Sequence, residues 1–388
     1  MQSNAAYLHQ RLYRGFMKRS VLCIAAFVQI FAAAAFAQSG AVKPTPTPKP
    51  NDTVKVATEE IKVNALAFDE DGKFAPDLKA DDVVITDNNI LHIPTSVRRI
   101  PASVLIIMDT GGEMRSVKTI DQTRKVAVAV VNSLREGDEI AVIEYSDKAE
   151  IVSEWTVDKQ AAIAAIAKTK FGRRSALANA VELAKTMLIN ESVENRHLVL
   201  ITDGTDSIST PAEKSSALNS LMSTDINVHV ISYGTLEAKD ISPRTSRLSK
   251  NPPPKAMPDI ISQAINSSAG RPQDPPPAKV GPTINVDKKM LKTVRARKAD
   301  LEESEILMTK IAENTNGEII IPKTLDEMIE KAKLVSSLID ASYVVTYTPK
   351  FPLEEADPGS IRTISVTSKN PNIVIQSLRK FVVPKQDN

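Results

Sequence analysis

Residues 104 to 114, VLIIMDTGGEM, place an acidic residue, Asp109, at the carboxyl end of an all-apolar strand and follow it with a glycine-containing turn. In an open α/β sheet that edge is where ligands bind. Two later segments return to the same place: GRRSAL, Gly172 to Leu177, which opens a helix, and LVLITDGTDS, an apolar strand that ends on Asp203. An aspartate, a hydroxyl residue and a second aspartate thus fall on three separate strand-edge loops.

Between Val104 and Tyr233 strands alternate with helices, the pattern of an α/β sheet. The spacing of Val126, Val130, Val131 and Leu134 predicts a helix from about Ser116 to Leu134. EIAVIEYS and EIVSEWTV follow only a few residues apart, which predicts a hairpin and so one antiparallel strand beside a mainly parallel sheet. Helices over Asp158 to Lys168 and Ser175 to Ile189, the strand HLVLITD, a helix near Pro211 to Met222 and the strand INVHVISYG complete the order. Leu236 to about Lys298 is dense in proline and reads as a largely flexible insertion, with a short helix near Asp259 to Ser267. The alternation then resumes with a helix from Leu301 to Asn314, the strand GEIIIP, and a helix from Thr324 to Ile339 that Thr324 caps with Glu327 three residues on.

The flanks read as strands. Residues 54–100 hold VKVA, IKVNALAF, VVITD and ILHI, divided by turn signals at Asp69 to Gly72, at Pro76 and at Asp87 to Asn89. Residues 341–388 hold ASYVVTYTP, SIRTISVTS and NIVIQSLRKFVVP. The fold class expected is therefore α/β, a doubly wound, mainly parallel, Rossmann-like sheet over residues 101–340, flanked by a small β-sandwich that the N- and C-terminal strands build together.

The first 37 residues carry Arg11, Arg14, Lys18 and Arg19, no acid, and an apolar run ending Ala35-Phe36-Ala37, which is the pattern of a secretory signal peptide. Its apolar run is shorter than the ~20 residues of a membrane span, so cleavage is favoured over anchoring, and membrane contact is expected only through this segment before cleavage. Residues 38–53, QSGAVKPTPTPKPNDT, form a Pro-rich linker of extended character. The single cysteine, Cys23, lies inside the signal, which leaves the mature chain without disulfides or thiolate ligands. At 42 % apolar and 25 % charged residues the chain is ordinary globular material, long enough for two domains. Loss of the four signal cations leaves 45 basic against 47 acidic residues, and a near-neutral chain with few aromatics is a poor nucleic-acid binder. The expected location is secreted or periplasmic, in the cell envelope.

The three loops, over residues 102 to 235, resemble the metal-ion-dependent adhesion site of the von Willebrand factor type A domain. The extended segment before the domain, and the Tyr-rich, Arg-x-Ile-x-Val and final Arg-Lys-Phe strands after it, resemble the secreted acidobacterial branch of such proteins. The family's first loop reads Asp-x-Ser-x-Ser, whereas this chain has Asp109, Thr110, Gly111, Gly112 and Glu113, so both serine positions are changed. Ser175 falls where the family has its coordinating threonine and Asp203 where it has its second aspartate. The resemblance implies a degenerate site in which Asp109, Glu113, Ser175 and Asp203 are the candidate ligands of Mg²⁺ or Mn²⁺, with Thr110, Gly111, Arg173, Arg174 and Thr205 around them as candidate partner-binding residues.

A hard divalent cation needs about six oxygen ligands. Gly111 removes one hydroxyl, and Glu113 replaces the other with a charge. Two readings follow. Either Glu113 reaches the ion, or Arg173 or Arg174 takes the ion's electrostatic role against Asp109, Glu113 or Asp203, since a guanidinium pairs bidentately with carboxylates. Each residue also has a plainer role open to it: Asp109 and Asp203 as turn caps, Ser175 as a helix N-cap. His92, His197 and His229 show no metal-ligand spacing and read as structural. Asp69-x-Asp71-Gly72 reads as a hairpin turn rather than a calcium loop. The function expected is an exported protein-binding module of adhesion type, not an enzyme. The rivals are a metal-free architectural envelope protein with a dead site and a metal-assisted hydrolase, and the hydrolase lacks any positioned nucleophile or histidine base.

Overall fold

The computed structural model describes residues 59–112, 119–189, 193–246, 248–249, 283–284 and 288–384. The signal and linker segments, Glu113, and the helix expected near Asp259 to Ser267 lie outside the described residues. In chain order the strands are β1 (Ile61–Asp69), β2 (Val83–Asp87), β3 (Ile90–His92), β4 (Ser96–Arg98) and β5 (Ser103–Asp109), followed by helix α1 (Ile120–Ser133) and strands β6 (Glu139–Tyr145) and β7 (Ala149–Thr156). Next come α2 (Lys159–Ala167), α3 (Leu177–Leu188), β8 (Arg196–Thr202), α4 (Pro211–Ser220), β9 (Asn227–Ser232), α5 (Gly234–Ile241), β10 (Leu248–Ser249) and β11 (Thr283–Ile284). The chain finishes with α6 (Lys288–Asn314), β12 (Ile319–Ile320), α7 (Leu325–Asp340), β13 (Ser342–Tyr347), β14 (Ile361–Ser368), β15 (Ile373–Gln376) and β16 (Leu378–Val382). No described helix is long and apolar enough to cross a membrane.

The central sheet runs β12-β9-β8-β5-β6-β7, parallel throughout except for β7, which turns back on β6 as a bulged antiparallel edge. Its middle strand, β5, is buried along its whole length because helices cover both faces. The two-residue period of a strand divides β5 between two layers. Val104, Ile106 and Met108 join α1, α2 and α7 through residues such as Val130, Ile166 and Val335. Leu105 and Ile107 join α3, α4 and α6 through Val181, Leu218 and Ile311. This is the doubly wound arrangement that the alternating pattern predicts.

The helix starts follow local chemistry. Thr119, Asp158, Thr210 and Thr324 cap α1, α2, α4 and α7 through their side-chain oxygens. The region predicted to be a flexible insertion differs at both of its ends. Its first residues belong to α5, and α6 begins at Lys288 rather than at Leu301. The cause is packing across helices: Val294 and Leu301 share a small apolar cluster with Ala238 and Ile241 of α5.

The flanking strands form two antiparallel four-stranded sheets, β15-β1-β13-β4 and β16-β14-β2-β3. Strand β1 pairs with β13 from Ile61 opposite Tyr347 to Leu66 opposite Ser342, so the two ends of the described chain are tied across the whole α/β unit. Val63, Ala65 and Val345 of one sheet and Ile85, Ile364 and Val366 of the other share one core, as facing sheets of a sandwich do. Asn88 and Asn89, both at positive φ (48° and 65°), make the tight β2–β3 turn, and Asp69 accepts from the backbone N–H of Asp71 (3.0 Å) and Lys73 (2.8 Å) to close the turn before Phe74.

Polar groups fix the sandwich internally and against the α/β unit. Inside it, the buried Asp87 carboxylate pairs with the Arg362 guanidinium, whose Nε donates at 3.1 Å, and accepts from the Tyr347 hydroxyl at 3.0 Å. At the junction, Arg379 of β16 is 2 % exposed and donates to the carbonyls of Thr224, Ile226 and Thr315. Burial lowers its pKa to about 10, which still leaves it charged at neutral pH. A second junction joins Asn64 of β1 to Asn195 (2.7 Å) and to the ring of His197 (3.1 Å), which contacts His229 at 3.1 Å. Burial holds His229 down at about 4, and burial together with the neighbouring ring holds His197 well below the ordinary histidine value.

Arg362→Met strands the Asp87 carboxylate and is expected to cost about 3–5 kcal/mol in urea unfolding, with Asp87→Leu added to it recovering part of the loss. The two histidines protonate more readily in the unfolded chain, so their contribution is complete above about pH 6.5 and is lost as the pH falls toward 4. His229→Gln should therefore flatten the fall in stability between pH 7 and pH 5 by about 2 kcal/mol, read from unfolding midpoints at the two pH values.

Candidate functional site

The carboxyl ends of β5 and β8 and the loop before α3 meet at one rim of the central sheet, and the meeting is built from backbone contacts. The Gly172 N–H donates to the Thr110 carbonyl (3.2 Å), and the N–H of Ser207 donates to the Ser175 carbonyl (2.8 Å) while the Ser207 hydroxyl accepts from the Ser175 N–H (2.8 Å). The three segments that sequence reasoning brought together are therefore interlocked. Between them and the first half of α6 lies a cleft of about 530 Å³, lined by Gly111, Ser175, Asp203, Thr205, Arg297 and Asp300 among others.

Asp109 is fully buried, and its Oδ1 accepts from the Gly111 N–H at 3.1 Å. Gly111 lies tight against the second loop: a Cβ placed there would stand 1.8 Å from the Arg174 carbonyl oxygen and 2.8 Å from the Ser146 Cα. The position is glycine because two backbones touch, so a serine has no room in this loop geometry. Thr110 and Thr205, expected as partner-binding residues, are both buried, Thr205 in the wall of the cleft. Thr110 gives its hydroxyl to the Tyr145 carbonyl (3.1 Å), and Thr205 gives both its N–H (2.9 Å) and its hydroxyl (2.7 Å) to Asp203 Oδ1.

Ser175 is not a helix cap. Helix α3 starts after Ala176, and its Ala178 N–H is capped by Asp206 Oδ2 of the third loop at 2.8 Å. The Ser175 hydroxyl is left buried, on a residue 4 % exposed, with no hydrogen-bond partner. A buried polar atom kept unpaired is costly and calls for a partner such as a water or a ligand.

Neither Arg173 nor Arg174 is the arginine that meets Asp203. Arg174 points outward to Asp147 Oδ1 (Nε at 3.2 Å), and the backbone N–H groups of Arg173 (3.5 Å) and Arg174 (3.2 Å) also donate to Asp147, so the β6–β7 turn organises this loop. Asp203 is met instead by Arg297 of α6, whose Nη2 donates to Oδ2 at 2.7 Å while its Nη1 donates to the Thr205 hydroxyl at 2.5 Å. Asp300, one turn on, takes the Lys214 ammonium at 3.1 Å, and Lys214 also donates to Ser304 at 2.9 Å. Gly204, at φ +76°, lets the loop approach α6, since a Cβ there would lie 2.6 Å from the Met308 Cε. Sequence reasoning missed Arg297, Asp206 and Lys214. The spacing of Arg297, Asp300, Ser304 and Met308 along one helical face was the available signal.

The described donors do not fit a divalent cation as they stand. Both Asp203 oxygens are engaged, Gly111 offers no hydroxyl, and of the described candidate ligands the Ser175 hydroxyl is the one left without a hydrogen-bond partner beside the buried Asp109. No group of three or more His, Cys, Asp or Glu residues able to hold a metal occurs among the described residues.

An open, mainly parallel sheet with its loops gathered at this rim defines the class of domain. Residues 104–205 match the family model of the von Willebrand factor type A domain, so the chain carries a domain of that type. Among solved structures it is similar to an aerotolerance-related membrane protein from Bacteroides fragilis (19 % identity, 62 % of this chain and 98 % of that one, TM-score 0.37). It is similar also to BatB, a conserved hypothetical protein from Bacteroides thetaiotaomicron (15 %, 61 % and 98 %, TM-score 0.35) and to a von Willebrand factor type A protein from Catenulispora acidiphila (11 %, 85 % and 74 %, TM-score 0.40). No curated protein matches the chain.

Gly111→Ser, which restores the family's residue type, is expected to destabilise the protein by about 1–3 kcal/mol through overpacking against the second loop. A thermal midpoint equal to that of the parent would contradict the close contact at Gly111.

Proposed function

We propose that the protein is an exported interaction module of the cell envelope that holds a protein partner at the carboxyl rim of its central sheet. The observation that carries this reading is the cleft where three loops interlock around the unspent Ser175 hydroxyl. The rim is composed as binding surfaces are. Phe171 (58 % exposed) and Ile208 (38 %) stand on the second and third loops, and Arg173 and Arg174 are exposed beside Phe171. Aromatic and arginine side chains at the margin of a cleft are the residue types that dominate binding energy in protein interfaces. The group best suited to the cleft is a carboxylate on the partner, which the Ser175 hydroxyl and the rim guanidinium groups can receive as donors.

A pull-down from envelope extracts of the producing cells tests this. The parent protein is expected to retain a discrete partner, and Arg173→Glu combined with Phe171→Ala to lose it by tenfold or more, while Lys333→Glu on the exposed face of α7 leaves it in place. Equal capture by the parent and the rim variant would refute the assignment.

A further inference from the structure

We infer that Arg297, a guanidinium from α6, is the resident cation of this site and meets at Asp203 the charge that a divalent ion would otherwise meet. It makes the Asp203 carboxylate unavailable to metal and leaves the rim competent without one.

Asp203 is 1 % exposed at the end of a parallel strand, and a carboxylate in that position requires a compensating charge or a dense set of donors. Both are present, and all come from the chain itself. Oδ1 takes the two Thr205 donors and Oδ2 takes Arg297 Nη2, while Arg297 Nη1 reaches the Thr205 hydroxyl, closing a four-bond ring around one carboxylate. Thr205 thus donates its proton to Asp203 and accepts from Arg297, which fixes the guanidinium plane.

Arg297 is also held from behind. Val294 and Leu301 on the same helix are buried against α5, Asp300 and Ser304 hold Lys214 of α4, and Arg295 donates to the Thr245 carbonyl at 2.8 Å. A cation on so constrained a helix is positioned at little entropic cost. The guanidinium lines the cleft and has five N–H donors, two of them given to Asp203 and Thr205, so three remain for a ligand or solvent on the cleft side. Among the described residues the cleft carboxylates Asp203 and Asp300 are each already paired with a cation, while Arg297 and the unspent Ser175 hydroxyl supply donors, so no open oxygen cage is presented. An oxygen cage is what Mg²⁺ or Mn²⁺ needs, and a donor array is what an anion needs.

The test is the effect of Mn²⁺ and Mg²⁺ on the purified protein alone, by thermal unfolding and titration calorimetry. In the parent, millimolar ion is expected to give no saturable heat and no shift of the midpoint, and chelator no change. Arg297→Met removes the cation and strands Asp203, so its midpoint falls. Mn²⁺ should then bind and raise that midpoint by several degrees, and adding Asp203→Asn should abolish the rescue. Arg297→Lys keeps a charge there and should remain insensitive to the ion, which preserves the test if the methionine variant does not fold. Saturable Mn²⁺ binding by the parent that Asp203→Asn removes would overturn the inference. So would a folded Arg297→Met variant whose stability the ion leaves unchanged.

Discussion

The architecture of the functional edge depends on how one buried carboxylate is neutralised. Asp203 closes a parallel strand with its side chain in the interior, and the charge it carries there would cost several kcal/mol if left unmatched. The match comes from Arg297, far along the chain. To deliver it, α6 must lie across the rim of the sheet, and Gly204 must lack a side chain so that the Asp203 loop can come up against Ser304 and Met308. The interlocked backbones of the first two loops, with Gly111 against Arg174, then set the opposite wall of the cleft. Packing against α5 holds the helix in place, and the cleft and loop geometry accommodate the electrostatic requirement of Asp203.

The same helix carries the constraint to the other end of the molecule. At 27 residues α6 is about 40 Å long, and beyond its C-terminus the Thr315 carbonyl accepts from Arg379 of the flanking sandwich at 3.4 Å. A buried cation at a helix C-terminus complements the partial negative charge of that end. The sandwich is thereby tied to the unit that bears the cleft, and the Asn64, Asn195, His197 and His229 cluster ties it a second time at the same amino-terminal end of the parallel strands. Both junctions are polar and buried, so each fixes a particular geometry where an apolar contact would permit sliding.

Periodicity made most of the fold legible. The all-apolar strands, the 3.6-residue spacing of Val126, Val130 and Leu134, and the capping Thr324 are local signals, and tertiary packing agrees with them. The long α6 was legible only in part. Its first half owes its burial to α5, a partner separated by a proline-rich stretch, and Leu291 and Val294 among many charges give too weak a pattern when read alone. At the site, Asp109, Ser175 and Asp203 were readable because each ends an apolar run or opens a helix. Arg297 was not, because a guanidinium in a charged helix looks like a solvated one until the fold brings a carboxylate to it. Arg173 and Arg174 were the tempting alternative on grounds of sequence proximity, yet the turn at Asp147 draws Arg174 outward.

A guanidinium in place of an ion also changes how such a rim is controlled. A bound divalent ion is supplied by solution and can be withdrawn from it, whereas Arg297 is delivered by the position of α6, so anything that displaces the helix alters the charge at the cleft. The most direct measurement is a crystal structure grown in millimolar Mn²⁺ with diffraction recorded at the manganese absorption edge. The account predicts Arg297 seated on Asp203 and no anomalous peak in the cleft between Asp203 and Ser175. A manganese peak there, with the Arg297 side chain swung away from the carboxylate, would contradict it.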